Sequence, residues 1–328
     1  MDLSTNYLGL SLKNPLVPSA SPLSRDLDTA RRLEDAGASA IVMYSLFEEE
    51  IVAEQNELES LWSFQDIGHG EADSYLPASA NCETSLDTYL AQLWALKQAL
   101  EIPVIASLNG ITPGGWIEHA SEMVGAGADA LELNVYYLAA DLNQTAAEVE
   151  DNYIQLLTQL KQAVNIPITL KLSSQFSSPA NFIGKLGEAG ADGVSLFNRF
   201  YQPDLDLDTL TVKHTLHLSS PYEALMRIHW IALLHGRVDV SLAATGGIHS
   251  VTEVMKLLLS GADVTHLCAT LLKNGPDYLA TILIDMAQWM EEKEYESVEQ
   301  LKGSFSQQHS PDPQAWQRAN YLKVLQSY

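Results

Sequence analysis

A single lysine, Lys171, lies in the middle of the short apolar run ITLKLS (168–173). An unpaired ammonium group is costly to bury, so a lysine in such a run needs either a carboxylate partner or a bound anion. Glu132, in the similar run ALELNV, is the carboxylate that could pair with it. Two interpretations of Lys171 are therefore open: it forms a structural ion pair with Glu132, or its charge neutralises a bound anion. A third is a Schiff-base amine in a phosphate-handling lyase or isomerase.

Two consecutive glycines follow another apolar run, in the segment Thr245-Gly246-Gly247-Ile248-His249-Ser250. Glycines at such a point let backbone amides approach a ligand closely, and Ser250 with Glu253 forms the S-x-x-E capping box that begins a helix. Free amides and the helix dipole favour an anion there. The segment predicts a phosphate-binding turn, with a tight turn that binds no ligand as the alternative.

Polar residues also close the other apolar runs, at Ser19, Ser21, Ser45, Ser107, Asn109, Asn134, Ser173 and Asn198. A purely structural core avoids polar groups at these positions, so together they predict a functional site where strands end. The histidines are weaker signals. His214 and His217 have no further ligand residues at metal-binding spacing, so the sequence predicts no metal site. His249 and His266 either contact the phosphate or simply pack near it.

Eight short apolar runs alternate with helical patterns along the chain, at 15–21, 39–45, 103–109, 130–135, 167–173, 193–198, 240–245 and 264–269. Several follow an Ala/Gly-rich segment, where glycine ends a helix. Apolar strands that alternate with helices indicate a parallel sheet, and eight such units predict an α/β protein with a (β/α)8 TIM barrel. An open doubly wound sheet is the alternative, but its G-x-G-x-x-G fingerprint is absent after the first run.

The predicted helices cover 27–36, 86–100, 116–124, 146–164, 180–189 and 251–259. Two connections are much longer than the rest, 46–86 after the second strand and 199–238 after the sixth, and we expect them to cap the mouth of the barrel. Residues from about 285 to 328 predict a polar helical tail. Because no Pro-, Gly- or Ser-rich linker divides the chain, we expect residues 1–328 to form one domain.

The composition narrows the class of protein. The 328 residues are 46% apolar, enough for a substantial core, and their formal net charge of −24 argues against nucleic-acid and anionic-membrane partners. Cys82 and Cys268 are far apart in the sequence, which disfavours a disulfide framework or a thiolate zinc site. The N-terminus lacks the pattern of a secretory signal, so we expect a cytoplasmic protein.

The order of the strand-end motifs resembles the dihydroorotate dehydrogenase family, above all its soluble class 1 members. The segments that carry the resemblance are Asn14-Pro15-Leu16-Val17, Ala20-Ser21, Leu133-Asn134, Leu170-Lys171-Leu172, Asn198, Thr245-Gly246-Gly247-Ile248, Gly261-Ala262-Asp263 and KNGPDYL (273–279). The resemblance implies a flavin-dependent dehydrogenase that binds FMN and oxidises dihydroorotate to orotate in pyrimidine biosynthesis. It also implies a homodimer, which is common among class 1 members.

The same resemblance implies roles for single residues. Lys171 would lie beside N1 and the C2 carbonyl of FMN, where its charge stabilises the reduced flavin. Asn134 would face both flavin and substrate, and Asn198 would hydrogen-bond the pyrimidine. The other FMN contacts would come from Ala20, Ser21, Ser45, Gly246, Gly247, Ala269 and Thr270, with the two glycines holding the phosphate.

The chain departs from the family pattern after the fourth strand. The family carries a Cys or Ser there as the base that removes the C5 proton, whereas this chain reads Asn134-Val135-Tyr136-Tyr137-Leu138. Tyr137 takes the place of the base, although a neutral phenol is a poor proton acceptor at pH 7.

Three further departures concern the cofactor and substrate loops. Tyr44 replaces a flavin-contacting lysine, Asn81 is the substitute for the asparagine of the substrate loop, and Cys268-Ala269-Thr270 replaces the usual G-T-A. The sequence therefore supports FMN binding better than dihydroorotate turnover. A non-catalytic flavin- or phosphate-binding barrel that regulates a partner stays an alternative.

Overall fold

Eight parallel strands form the central sheet of the computed structural model, which describes residues 1–65, 84–110, 113–317, 325 and 326. The strands are β3 (Leu16–Pro18), β4 (Ile41–Phe47), β5 (Val104–Asn109), β6 (Ala130–Asn134), β7 (Ile168–Leu172), β8 (Gly193–Leu196), β11 (Ser241–Thr245) and β12 (Val264–Leu267). Their order in the sheet is β3-β12-β11-β8-β7-β6-β5-β4. The two end strands meet where the backbone amide and the hydroxyl of Ser39 both donate to the carbonyl of Leu16, at 3.1 and 3.0 Å. The predicted (β/α)8 barrel is thus confirmed, in a nearly closed form.

Helices follow the strands and surround the barrel. They are α1 (Leu27–Asp35), α2 (Glu48–Gln65), α3 (Ser85–Ala99), α4 (Pro113–Gly125), α5 (Ala146–Ala163), α6 (Pro179–Glu188), α7 (Ala224–Leu234), α8 (Val251–Ser260), α9 (Ala269–Asn274), α10 (Tyr278–Glu292), α11 (Val298–Leu301) and α12 (Gln314–Gln317). The capping box predicted at Ser250 is present, because its hydroxyl accepts from the helix backbone and Glu253 reaches back to it. No helix in the described part of the chain is long and apolar enough to cross a membrane.

A short hairpin closes the N-terminal end of the barrel. Its strands are β1 (Thr5–Tyr7) and β2 (Leu10–Leu12), and its side chains Tyr7, Leu8 and Leu12 are buried against the barrel interior. The Tyr7 hydroxyl reaches Thr169 on β7 at 3.4 Å. Strands of three residues are too short for a periodicity signal, so the sequence did not predict this plug.

The connection after β8 is shorter than predicted, which is a correction to the range 199–238. It holds an antiparallel hairpin of β9 (Asp204–Asp206) and β10 (Thr211–Lys213), and then a 3-10 turn at Pro221–Glu223. Its remainder is α7, an ordinary helix of the barrel that packs against α8. The sequence of α7 is apolar on most faces, so its amphipathic pattern is weak.

The predicted tail begins inside a helix. Asp285 lies within α10, whose residues Leu279, Ile282, Met286 and Met290 are buried. This helix packs against α8. The chain then returns along α8, where the amide of Phe305 donates to the carbonyl of Leu259 at 2.8 Å.

Candidate active site

A pocket opens at the carboxyl ends of the barrel strands, where barrel enzymes carry their active sites. Its empty space, counted out to the open mouth, is about 570 Å³. Six of the predicted site residues line it: Ala20, Lys171, Asn198, Gly246, Gly247 and Ala269. Residues from five different strand ends therefore meet in one cavity.

Lys171 lines this pocket and also pairs with Glu132. Its side chain is 9% exposed, and its Nζ lies 3.5 Å from Oε1 of Glu132, which is wholly buried on the neighbouring strand β6. Lys171 can therefore be both a partner of Glu132 in an ion pair and a cation that faces the pocket. A long ion pair of this kind leaves the ammonium group with donors to spare for a ligand.

His266 lies beside this pair, on β12. Its Nδ1 is 3.3 Å from the hydroxyl of Ser195 and 3.7 Å from Oε2 of Glu132. Burial lowers the pKa of His266 to about 4, so the ring is neutral at pH 7. Its Nε2 has no hydrogen-bond partner among the described residues, although the side chain is buried and lines the pocket. Buried polar atoms are nearly always bonded, so this nitrogen fits a ligand atom.

The glycine pair lies where α7 approaches the strand ends. Gly246 and Gly247 have φ of +89° and +80°, and a Cβ on Gly247 would lie 2.4 Å from the backbone nitrogen of Ala224. The amides of Gly246, Gly247 and Ile248 donate to no acceptor in the part of the chain that the structure describes. Free amides in succession at a glycine turn can bind an anion such as phosphate.

Arg227, which was not predicted from the sequence, holds α7 against this turn. Its buried guanidinium donates to the carbonyls of Thr245 and Phe197, at 2.8 and 2.9 Å, and to that of Glu223 at 2.9 Å. The signal that could have found it is a lone arginine in the apolar helix ALMRIHWIALL. Arg227 therefore fixes the geometry of the pocket wall.

Asn134 and Asn198 form a hydrogen-bonded pair at the ends of β6 and β8. The Nδ2 of Asn198 donates to Oδ1 of Asn134 at 2.7 Å. The remaining amide atoms, Nδ2 of Asn134 and Oδ1 of Asn198, form no hydrogen bond with the described residues. The pair thus offers one donor and one acceptor, the complement of a ring with adjacent N–H and C=O groups.

Arg199 is a second pocket cation that the sequence analysis did not single out. It lines the pocket and pairs with Glu223, with Nε 2.9 Å from Oε2, while its Nη1 donates to the carbonyl of His217. The sequence feature that could have identified Arg199 is its position directly after Asn198. Two cations in one pocket of a chain with net charge −24 favour an anionic ligand.

Five of the predicted site residues do not line this pocket: Ser21, Ser45, Asn134, Tyr137 and Thr270. The hydroxyl of Ser21 accepts from the amide of Leu23 at 3.4 Å, that of Ser45 bonds to Ser107 at 2.9 Å, and that of Thr270 donates to the carbonyl of His249 at 3.1 Å. These side chains already have partners within the protein.

The tyrosines at the departures from the family pattern are also engaged elsewhere. The Tyr137 hydroxyl donates to Oε1 of Gln144 at 2.6 Å, and Tyr137 does not line the pocket. The Tyr44 ring packs edge-on against Tyr89, with the guanidinium of Arg25 4.5 Å from its centre. Asn81 lies outside the described residues.

Comparison with known proteins agrees with this architecture. The sequence model of the family described as Dihydroorotate dehydrogenase matches residues 78–290. Similar curated proteins include three named "Dihydroorotate dehydrogenase B (NAD(+)), catalytic subunit". The one from Methanothermobacter thermautotrophicus is 21% identical over 92% of this chain and 97% of its own length. Those from Halalkalibacterium halodurans and Pyrococcus abyssi are 25% and 23% identical, over 92% of this chain and 97% and 98% of their own lengths. The family match spans well over half of the chain, so the protein belongs to the dihydroorotate dehydrogenase family.

Proposed function

We propose that the protein is an FMN-dependent oxidoreductase that converts dihydroorotate to orotate. The observation that carries the proposal is the convergence of Lys171 with the free amides of Gly246, Gly247 and Ile248 on one pocket at the strand ends. A cation and a glycine turn with free amides in one pocket suit a planar cofactor with a phosphate tail.

The pocket residues fit FMN in chemical type. The amides of the Gly246–Ile248 turn would hold the phosphate, and Lys171 would lie against the electron-rich edge of the ring. Ala20 and Ala269 add small, apolar surface to the walls. FMN, when bound, supplies the acceptor for the two electrons of the reaction.

The asparagine pair supports a pyrimidine-like substrate. Dihydroorotate carries ring N–H and C=O groups, which match the free donor of Asn134 and the free acceptor of Asn198. It also carries a carboxylate, which the positive charges of Arg199 and Lys171 attract. Binding through this pair would orient the ring.

The test is a pair of spectroscopic measurements on the purified protein. Titration with FMN should quench flavin fluorescence and raise the melting temperature, and anaerobic addition of dihydroorotate should then bleach the flavin absorbance. Binding without bleaching would leave a non-catalytic flavin protein or another substrate. No binding would refute the proposal, and borohydride trapping with carbonyl compounds would then test Lys171 as a Schiff-base amine.

Lys171→Ala should weaken FMN binding about 10- to 150-fold, because one charge-assisted contact contributes about 1.5–3 kcal/mol. Lys185→Ala is the matched control. Lys185 also pairs with a carboxylate, Glu150 at 3.4 Å, but between the outer helices α5 and α6. Equal FMN affinity in the two variants, with both folded by circular dichroism, would contradict the placement of Lys171.

A further inference from the structure

We propose that the carboxylate of Glu132 lowers the reduction potential of the cofactor bound in the pocket. Glu132 forms, with Lys171 and His266, what we call the pocket floor. The inference rests on the proposed binding of FMN. It concerns a residue outside the pocket lining, whose carboxylate lies 3.5 Å from the ammonium of Lys171 and acts on the cofactor by its charge.

The position of Glu132 inside the barrel is the first support. Strands β6 and β12 are separated by three other strands in the sheet, so Glu132 and His266 can approach each other only across the barrel interior. The Glu132 carboxylate lies between two groups, with Oε1 3.5 Å from Nζ of Lys171 and Oε2 3.7 Å from Nδ1 of His266. A fully buried carboxylate therefore lies directly behind the pocket cation.

Stability alone does not account for this carboxylate. Replacing a buried ion pair by apolar residues of similar volume is often neutral or stabilising. Here Oε2 of Glu132 also lacks a hydrogen-bond partner among the described residues, which adds to the cost of burial. The pair is better explained by the effect of its charges on a neighbouring ligand.

Apart from the ion pair of Lys171 with Glu132, the titratable groups of this cluster in the described structure are neutral at pH 7. The groups near Glu132 are Lys171, His266, Tyr7 and Tyr89. Burial raises the pKa of Tyr7 and of Tyr89 and lowers that of His266 to about 4, so all three are neutral at pH 7. The floor then carries the positive charge of Lys171 at the pocket and the negative charge of Glu132 3.5 Å away from it.

The charge of the floor should act on the reduction of FMN. Reduction adds negative charge to the ring, which the ammonium of Lys171 favours and the carboxylate of Glu132 opposes through a medium of low dielectric constant. Neutralising Glu132 without changing its shape should therefore favour the reduced cofactor.

The experiment compares midpoint potentials of bound FMN in the holoenzyme at pH 7. We expect Glu132→Gln to favour reduced over oxidised FMN at least tenfold relative to the unmodified protein, which for a two-electron couple is a shift of about 30 mV to more positive potential. Glu132→Asp keeps the charge and should stay close to the unmodified protein. Glu150→Gln, which neutralises a carboxylate 3.4 Å from Lys185 on the outer helices, should not move the potential.

A folded, FMN-loaded Glu132→Gln variant with an unchanged potential would overturn the inference. If that variant does not fold, Lys171→Met is compared with the double variant Lys171→Met/Glu132→Gln, in which no ammonium is left uncompensated. The double variant should have the more positive potential, and equal values would again overturn the inference. FMN titration of the unmodified protein is done first, because failure to bind refutes the proposed function itself rather than the role of Glu132.

Discussion

The polar side chains in and around the pocket divide into those whose hydrogen bonds are complete and those with an atom still free. Arg227 belongs to the first group, with three carbonyls around its guanidinium. Asn134, Asn198 and His266 belong to the second, each with a donor or acceptor that no described residue satisfies. Of these free atoms only Nε2 of His266 is fully buried, and leaving such an atom unpaired is costly, so a ligand gains most there.

The variant Tyr137→Phe tests whether Tyr137 is the base that removes the substrate proton. A phenol that removes the substrate proton would make flavin reduction by dihydroorotate at least about 100-fold slower when its hydroxyl is deleted. Because this hydroxyl donates to Gln144 and Tyr137 does not line the pocket, we expect a smaller change, within about fivefold. Loss of the bond to Gln144 should cost about 1 kcal/mol of unfolding free energy.

Stopped-flow reduction and urea denaturation measure the two effects separately. Gln144→Ala is the matched control, because it removes the same hydrogen bond and leaves the phenol in place. A large loss of rate in Tyr137→Phe but not in Gln144→Ala would establish Tyr137 as the base.

At the scale of elements, the turn after β11 lines the pocket and is packed against the start of α7. The turn has two residues with positive φ, and the backbone at the start of α7 approaches one of them too closely for any side chain. Arg227 connects the helix to the ends of β8 and β11. The phosphate site proposed at this turn therefore depends on the position of a helix as much as on the glycines.

Gly247→Ala should destabilise the protein by about 3 kcal/mol, because its Cβ would lie 2.4 Å from backbone and the residue has φ of +80°. Gly9→Ala is the control for backbone strain alone, since Gly9 has φ of +76° and no atom within 4 Å of a built Cβ. We expect the control to cost about 1 kcal/mol. Urea denaturation gives both values, and equal costs would show that the approach of α7 is easily relieved.

At the scale of the whole molecule, acid should destabilise the fold through four histidines that are wholly or partly buried. Burial lowers the pKa of His229, His235, His249 and His266 below the value of 6.5 expected in the unfolded chain. The unfolded state therefore binds more protons as the pH falls below 6.5, and stability is lost in that direction. The effect is largest for His266, which is wholly buried.

His266→Gln should flatten this pH dependence. With a folded pKa of about 4, His266 contributes about 2 kcal/mol of unfolding free energy that is present at pH 7 and lost by pH 5. The variant lacks the titration of His266 but keeps the other three histidines. The pH dependence that is left in the variant therefore gives their contribution. Urea denaturation at pH 7, 6 and 5 measures both slopes, and parallel slopes would contradict the burial of His266.

The sequence by itself determined the eight strands and the end of the barrel that carries the pocket. Both follow from local patterns, because short apolar runs that alternate with helical patterns indicate buried strands, and a polar residue at the end of such a run is noticeable. The runs around Lys171 and Gly246 indicate strand ends of this kind from their own residues alone, whatever packs against them. The same residues, in order, also carried the resemblance to the family that the comparison confirms.

Only the tertiary structure decided which side chains meet and which way they face. The approach of Glu132 to His266 across the barrel, the three carbonyls around Arg227 and the bond between Tyr137 and Gln144 are not visible in any local pattern. Such contacts depend on barrel closure and on the rotamer of each side chain, which join residues far apart in the chain. The hairpin that plugs the barrel and the true extent of α7 were missed for the related reason that short or uniformly apolar elements have no periodic signature.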